Sequence, residues 1–156
     1  MTLDELKDKK VAVLGLGANH EHLVKYFQKH QVGFEMIDKW REIGEIRDLS
    51  EFEIVFRSPG LPYNSQPIQN ALKAGMQIYS QTRLFFDLCP AKIIGVTGTK
   101  GKGTTASLIY EILKRNYQLP ITNYQSKVYL AGNIGNDPFE FLDKLKSDDW
   151  VVLELS

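Results

Sequence analysis

The sequence predicts an α/β protein with largely parallel sheets, built in two successive series. Three observations predict it. Short apolar runs alternate with amphipathic segments at helical spacing. Several of those runs are continuous rather than alternating, as parallel strands buried on both faces read. Two of them, Lys10–Leu14 and Ile93–Val96, enter glycine-containing turns that open helices.

The first series covers residues 1–90. Lys10–Leu14 is a strand ending at Gly15, and residues 20–30 follow as a helix with Leu23, Val24 and Phe27 inward. Phe34–Ile37 and Glu53–Phe56 are the next strands, the latter closed by Ser58-Pro59-Gly60. Residues 67–74 read as a helix, with Ile68, Ala71 and Leu72 on one face and Gly75 as its stop. Met76–Tyr79 is a fourth strand, after which Thr82 is placed to cap a helix carrying Leu84, Phe85 and Leu88.

Cys89-Pro90 punctuates the chain, and residues 91–156 begin a second series. Ile93–Val96 leads through a glycine-rich loop into a helix over 104–116, with Leu108, Ile109, Ile112 and Leu113 expected inward. Asp137 stands as cap before Pro138, Phe139 and Glu140, with Phe141, Leu142 and Leu145 lining the face behind. Trp150–Leu155 is a last strand, and its place at the end of the sequence predicts an open edge or bare apolar face.

Composition narrows the function. Of 156 residues, 19 are basic and 19 acidic, so a net charge of zero gives no electrostatic ground for a nucleic-acid or anionic-membrane partner. The single cysteine, Cys89, cannot form an intrachain disulfide, which suits a reducing compartment. No apolar run approaches the roughly 20 residues of a membrane-spanning helix, and MTLDELKDKK lacks the apolar stretch of a signal peptide. The expectation is a cytoplasmic protein.

Two segments carry chemistry. Gly15-Leu16-Gly17 follows a strand and opens a helix, and Asp38 ends the next strand. That layout sets a phosphate on a helix N-terminus and a ribose or base near the acid. The third glycine of a dinucleotide fingerprint is replaced by His20. On this motif alone a tight turn without ligand and a nucleotide turn both stand.

The second segment, GVTGTKGKGTT at 95–105, lies between a buried strand and a helix. Gly98, Gly101 and Gly103 let successive N–H groups face anionic oxygens, with Thr99 and Lys100 in the same loop. Lys102 supplies a charge for the β- and γ-phosphates. The strict P-loop pattern has glycine where Val96 stands and serine or threonine where Gly103 stands. Thr104 is then the metal hydroxyl, with Thr105 the second choice. Glu154, ending an apolar strand, is the carboxylate such a site needs near Mg2+; a flexible Gly/Thr turn and a solvated strand end are the alternative readings of the loop and of Glu154.

At TGTKGKGTT the sequence resembles the ATP loop of the Mur ligase superfamily, which also contains folylpolyglutamate synthases. VAVLGLG at 11–17, SPGLP at 58–62, QTRLFFDL at 81–88, AGNIG at 131–135 and VVLELS at 151–156 are similar to the branch that adds D-glutamate. The resemblance implies a Rossmann-like domain over 1–90 for the UDP end of UDP-N-acetylmuramoyl-L-alanine, then the start of a P-loop ATP domain over 91–156. Gly15, Gly17, Ala18, Asn19, Asp38, Lys39, Ser58, Pro59 and Gly60 would line the uridine site. Asn133 would stand between substrate and ATP. Lys102 and Glu154 would serve ATP and Mg2+. His20, Lys39 and Trp40 depart from the usual residues of better-known members. The implied reaction is amide formation with D-glutamate through an acyl phosphate, by an enzyme monomeric at full length. The chain would then be a fragment without activity of its own. A ligase for another amino acid and a non-catalytic nucleotide-binding module are the rival readings.

Overall fold

A computed structural model describes residues 1–15, 20–37, 49–58, 60, 62–117 and 126–155, apart from the side chain at 67. The chain divides into two compact units, Met1–Leu88 and Cys89–Ser156, each α/β with a wholly parallel sheet.

The first unit opens with a short helix, α1 (Leu3–Lys7). Thr2 and Glu5 cap it reciprocally: the Glu5 N–H donates to Thr2 Oγ1 at 3.2 Å and the Thr2 N–H to Glu5 Oε2 at 2.8 Å. Four strands follow, β1 (Val11–Leu14), β2 (Phe34–Ile37), β3 (Ile54–Arg57) and β4 (Gln77–Tyr79), in the spatial order β2-β1-β3-β4. Between them run α2 (Glu21–Lys29) and α3 (Gln66–Lys73), and α4 (Gln81–Leu88) comes last.

Both faces of β1 and β3 are buried, which explains their unbroken apolar runs. On one face Ala12, Leu14 and Val55 pack with Ile68 and Ala71 of α3 and with Leu49, Phe52 and Met76. On the other, Phe56 meets Phe27 of α2 edge-on at 5.2 Å and Tyr79 at 5.8 Å. α4 is capped by Ser80, whose Oγ accepts the Arg83 N–H at 3.1 Å, and not by Thr82, which lies inside the helix.

Among the described residues the second unit has three strands, β5 (Lys92–Val96), β6 (Val128–Gly132) and β7 (Trp150–Glu154), in the order β5-β7-β6. β6 was not foreseen, and it overturns the expectation of an open last strand: β7 lies in the centre, with Val151, Val152 and Leu153 buried. α5 (Lys102–Tyr117) covers one face through Ala106, Ile109, Tyr110 and Leu113. Leu108 and Ile112 point away, each 58% exposed, against the expectation that they face the core. The helix has apolar residues on two stripes, and the sheet takes only the one containing Ala106. Asp137 does cap, accepting the Phe139 N–H at 2.9 Å, but two 3₁₀ turns (Pro138–Glu140 and Leu142–Lys144) follow in place of a helix. They bury Phe139, Phe141, Leu142 and Leu145, and Phe141 stacks on Tyr129 of β6 at 4.6 Å. Among the described residues no helix is long and apolar enough to cross a membrane.

Candidate functional site

In the second unit, the C-terminal ends of all three strands converge on the glycine-rich loop. β5 stops at Val96, and the chain turns through 97–101 with Gly98 at φ +151 and Gly101 at φ +74 before α5 begins. Both angles are ones that side-chain-bearing residues rarely adopt. The Thr105 N–H donates to the Gly101 carbonyl at 2.9 Å, closing the first helical turn.

Glu154 ends β7 in register with Val96 on one side and Gly132 on the other. Its residue is only 8% exposed, and Oε1 lies 4.0 Å from the Lys102 ammonium. Oε2 is buried without a hydrogen-bond partner. A carboxylate oxygen in that state is costly unless a cation or donor completes it. A β-carbon at Gly103 would lie 3.7 Å from the same Oε2. Asn133, exposed beyond β6, donates its backbone N–H to the Glu154 carbonyl at 3.2 Å.

The fold therefore brings Lys102, Gly103, Asn133 and Glu154 to one end of one sheet. Gly98, Thr99, Lys100 and Gly101 form the exposed loop above them, and Thr104 and Thr105 are exposed on the first turn of α5. Among the glycines of the loop, Gly103 is the one whose β-carbon would contact Glu154.

The donor set fits Mg2+. A hard carboxylate oxygen next to a glycine-rich turn, with the Thr104 and Thr105 hydroxyls on the first turn of α5, suits an ion that keeps several waters and shares oxygens with an anionic ligand. Among the described residues no group of three or more His, Cys, Asp or Glu could cage a metal.

In the first unit Gly15, at φ +83, turns the chain at the end of β1 and donates its N–H to the Ile37 carbonyl at 3.0 Å. His20 is 1% exposed, and Nδ1 stands 2.9 Å from the Gly15 carbonyl. The imidazole thus occupies the helix–strand contact that a third glycine would have kept tight. Ser58 is half-buried and Gly60 exposed, just past β3. Gly17, Ala18, Asn19, Asp38, Lys39 and Pro59 lie outside the described residues. Sequence reasoning passed over Arg57, a cation ending the otherwise apolar β3; its signal was the charge directly before Ser58.

No family model matches the chain. Curated relatives do. A UDP-N-acetylmuramoylalanine–D-glutamate ligase of Acetivibrio thermocellus is 36% identical, matching 97% of this chain and 35% of its own length. Ligases of the same name from Clostridium kluyveri and Clostridium acetobutylicum are each 34% identical, over 97% of this chain and 36% of theirs. The chain spans about a third of the length of these relatives.

Proposed function

We propose, for a chain that is a relative of the UDP-N-acetylmuramoylalanine–D-glutamate ligases along nearly its whole sequence, that it carries the uridine-binding and phosphate-binding parts of an ATP-dependent amide ligase of peptidoglycan precursor synthesis. The observation that supports this best is the buried Glu154 carboxylate, 4.0 Å from Lys102 and at the mouth of the glycine loop.

In this reading the first unit binds the UDP end of UDP-N-acetylmuramoyl-L-alanine at Gly15, Gly17, Ala18, Asn19, Asp38, Lys39, Ser58, Pro59 and Gly60. The second unit, as the opening of a P-loop ATP domain, holds the triphosphate on the N–H groups of 98–104, with Thr105 on the same turn. Glu154 and the Thr104 hydroxyl would hold Mg2+, which when bound offsets phosphate charge. The substrate carboxylate oxygen attacks the γ-phosphorus, the bond to the ADP oxygen breaks, and ADP leaves. The amine of D-glutamate then attacks the acyl carbon; phosphate departs and the nitrogen loses a proton, leaving an amide. Carboxylate and γ-phosphate repel each other, so the chain's task is to neutralise and align them. Lys102 and the loop N–H groups do so for the phosphates, and Asn133 borders the acceptor side. The enzyme works in the cytoplasm as a monomer, without nucleic-acid or membrane partners.

Phosphate release with UDP-N-acetylmuramoyl-L-alanine, D-glutamate and Mg·ATP tests the reading in a version extended to the length of the relatives. Lys102→Ala and Glu154→Gln are expected to lower substrate-dependent turnover by about 100-fold or more. Normal rates in both variants would leave the loop a structural turn. The 156 residues alone are expected to give no turnover, because the relatives that share their sequence are about three times as long.

A further inference from the structure

In the second unit, Glu154 and Lys102 are held very differently. Glu154 ends the central strand β7, in register with Val96 on one side and Gly132 on the other, and its side chain is buried. Lys102 opens α5 and is a quarter exposed. Its four-carbon stem is flexible and lies against the loop, where a β-carbon on Gly98 would stand 4.0 Å from Lys102 Cγ. The backbone thus fixes the acid, while the cation is free to change its position.

The pair itself is loose. Lys102 Nζ stands 4.0 Å from Glu154 Oε1, beyond hydrogen-bond length, and among the described residues Glu154 has no other ion-pair partner. Oε2 is buried with no hydrogen-bond partner. One oxygen of the carboxylate therefore faces an ammonium while the other keeps its full acceptor capacity. A divalent cation brought to Oε2 meets a positive charge a few ångströms away. In a partly buried place that repulsion is screened far less than in bulk water. An anionic chain on the loop reverses the balance, because it offers the ammonium a second partner.

We propose that Lys102 is a displaceable counter-ion of Glu154. Its ammonium competes with a divalent cation for the carboxylate, and a polyphosphate on the loop relieves the competition by drawing the ammonium away. The bare ion is then held weakly, and Lys102 couples metal binding to polyphosphate binding. This rests on the reading that Glu154 holds the metal and Lys102 the phosphates, and it adds an antagonism between the two residues that the reading does not contain.

The test is titration of the 156-residue chain with Mn2+ alone, the free ion being counted by electron paramagnetic resonance. Lys102→Met keeps the stem and removes the charge, and it is expected to bind the bare ion roughly tenfold or more tighter than the parent. Lys102→Arg keeps the charge and should stay near the parent. Glu154→Gln, added to Lys102→Met, should abolish the gain. Circular dichroism of each variant checks that it is folded, and Lys102→Gln carries the test if the methionine variant is not. Equal affinity in the parent and the uncharged variants would overturn the proposal. So would an equal gain in Lys102→Arg, which would assign the effect to space rather than charge, or a gain that survives Glu154→Gln. Binding of Mn2+ with ATP, read by water proton relaxation, separates this inference from the reading beneath it. If Glu154→Gln weakens that complex while Lys102→Met gains nothing for the bare ion, the inference falls and the metal reading stands. If Glu154→Gln changes neither measurement, the metal reading falls and takes the inference with it.

Discussion

Gly132 and Glu154 meet backbone against backbone: a β-carbon on Gly132 would fall inside the van der Waals surface of the Glu154 carbonyl oxygen. The glycine is at φ +103, and the following N–H, of Asn133, donates to that same carbonyl. The AGNIG turn thereby fixes the end of β7, from which the Glu154 side chain reaches the loop. Gly132→Ala is expected to destabilise the second unit by about 2–4 kcal/mol, through positive-φ strain and the clash together. Amide hydrogen exchange checks it: β6 and β7 should exchange faster while β1 and β3 keep their protection. Unchanged exchange in β7 would show that the turn does not hold the strand.

Gly103 gives the opposite case. A β-carbon there meets Glu154 Oε2 and Ile134 Cγ2, both at 3.7 Å, which is ordinary contact. Gly103→Ser should therefore fit, and it places a hydroxyl where strict P-loops carry their metal ligand. The expected outcome is tighter binding of Mn2+ with ATP, by roughly three- to tenfold, read by electron paramagnetic resonance. Helix stability should rise modestly as well, because glycine is a poor helix former. Glu154→Gln in the same assay should abolish the gain. A serine variant with unchanged metal affinity would mean that the ion sits elsewhere on the loop.

The two cases show what was legible in the sequence. Gly98, Gly101, Lys102 and Glu154 were readable because each follows from a strand that ends and a helix that begins. That a β-carbon on Gly103 would touch Glu154 was not readable, because it depends on where the helix starts its first turn. The same limit applied to α5: Leu108 and Ile112 lie on one apolar stripe, Ala106, Ile109 and Leu113 on another, and periodicity does not choose between them. β6 was missed because its half-buried residues and closing glycine read as a motif rather than a strand. Asp137 signalled a helix start, but the bulky run from Phe139 to Leu145 is used to fill the face below β6.

His20 offers a test of the first unit. A carbonyl oxygen only accepts, so the contact with Gly15 requires the proton on Nδ1. His20→Gly completes a three-glycine fingerprint in sequence, yet it removes a buried ring and a hydrogen bond. The expected result is a loss of about 2–4 kcal/mol in urea unfolding, with no gain of NAD binding. Nitrogen chemical shifts of the parent imidazole should report the Nδ1–H form. A variant as stable as the parent would show that the ring does no packing at the turn.

The last prediction concerns alkaline stability. Burial first, and the Asp87 carboxylate next, push the Tyr79 phenol above its ordinary value, against the opposing pull of Arg83. The phenol donates to Asp87 Oδ2 at 3.2 Å, so the protonated form is the one the fold uses. A pKa raised on folding contributes stability that is whole below the unfolded value, near pH 10, and that is lost as pH rises through the folded value. Tyr79→Phe keeps the ring beside Phe56 and under Arg83, removing only the hydroxyl. At pH 7 the variant should be less stable by about 0.5–1.5 kcal/mol, the worth of one hydrogen bond. Above pH 10 the parent ionises in its unfolded state and the variant does not, so the difference should shrink. Tyr129, raised by burial and then by Asp149, keeps a common alkaline slope in both proteins, and the informative quantity is the gap between them. Urea unfolding from pH 7 to about pH 11 measures that gap across the tyrosine range. Parallel curves over the whole interval would mean that Tyr79 titrates alike in the folded and unfolded chains.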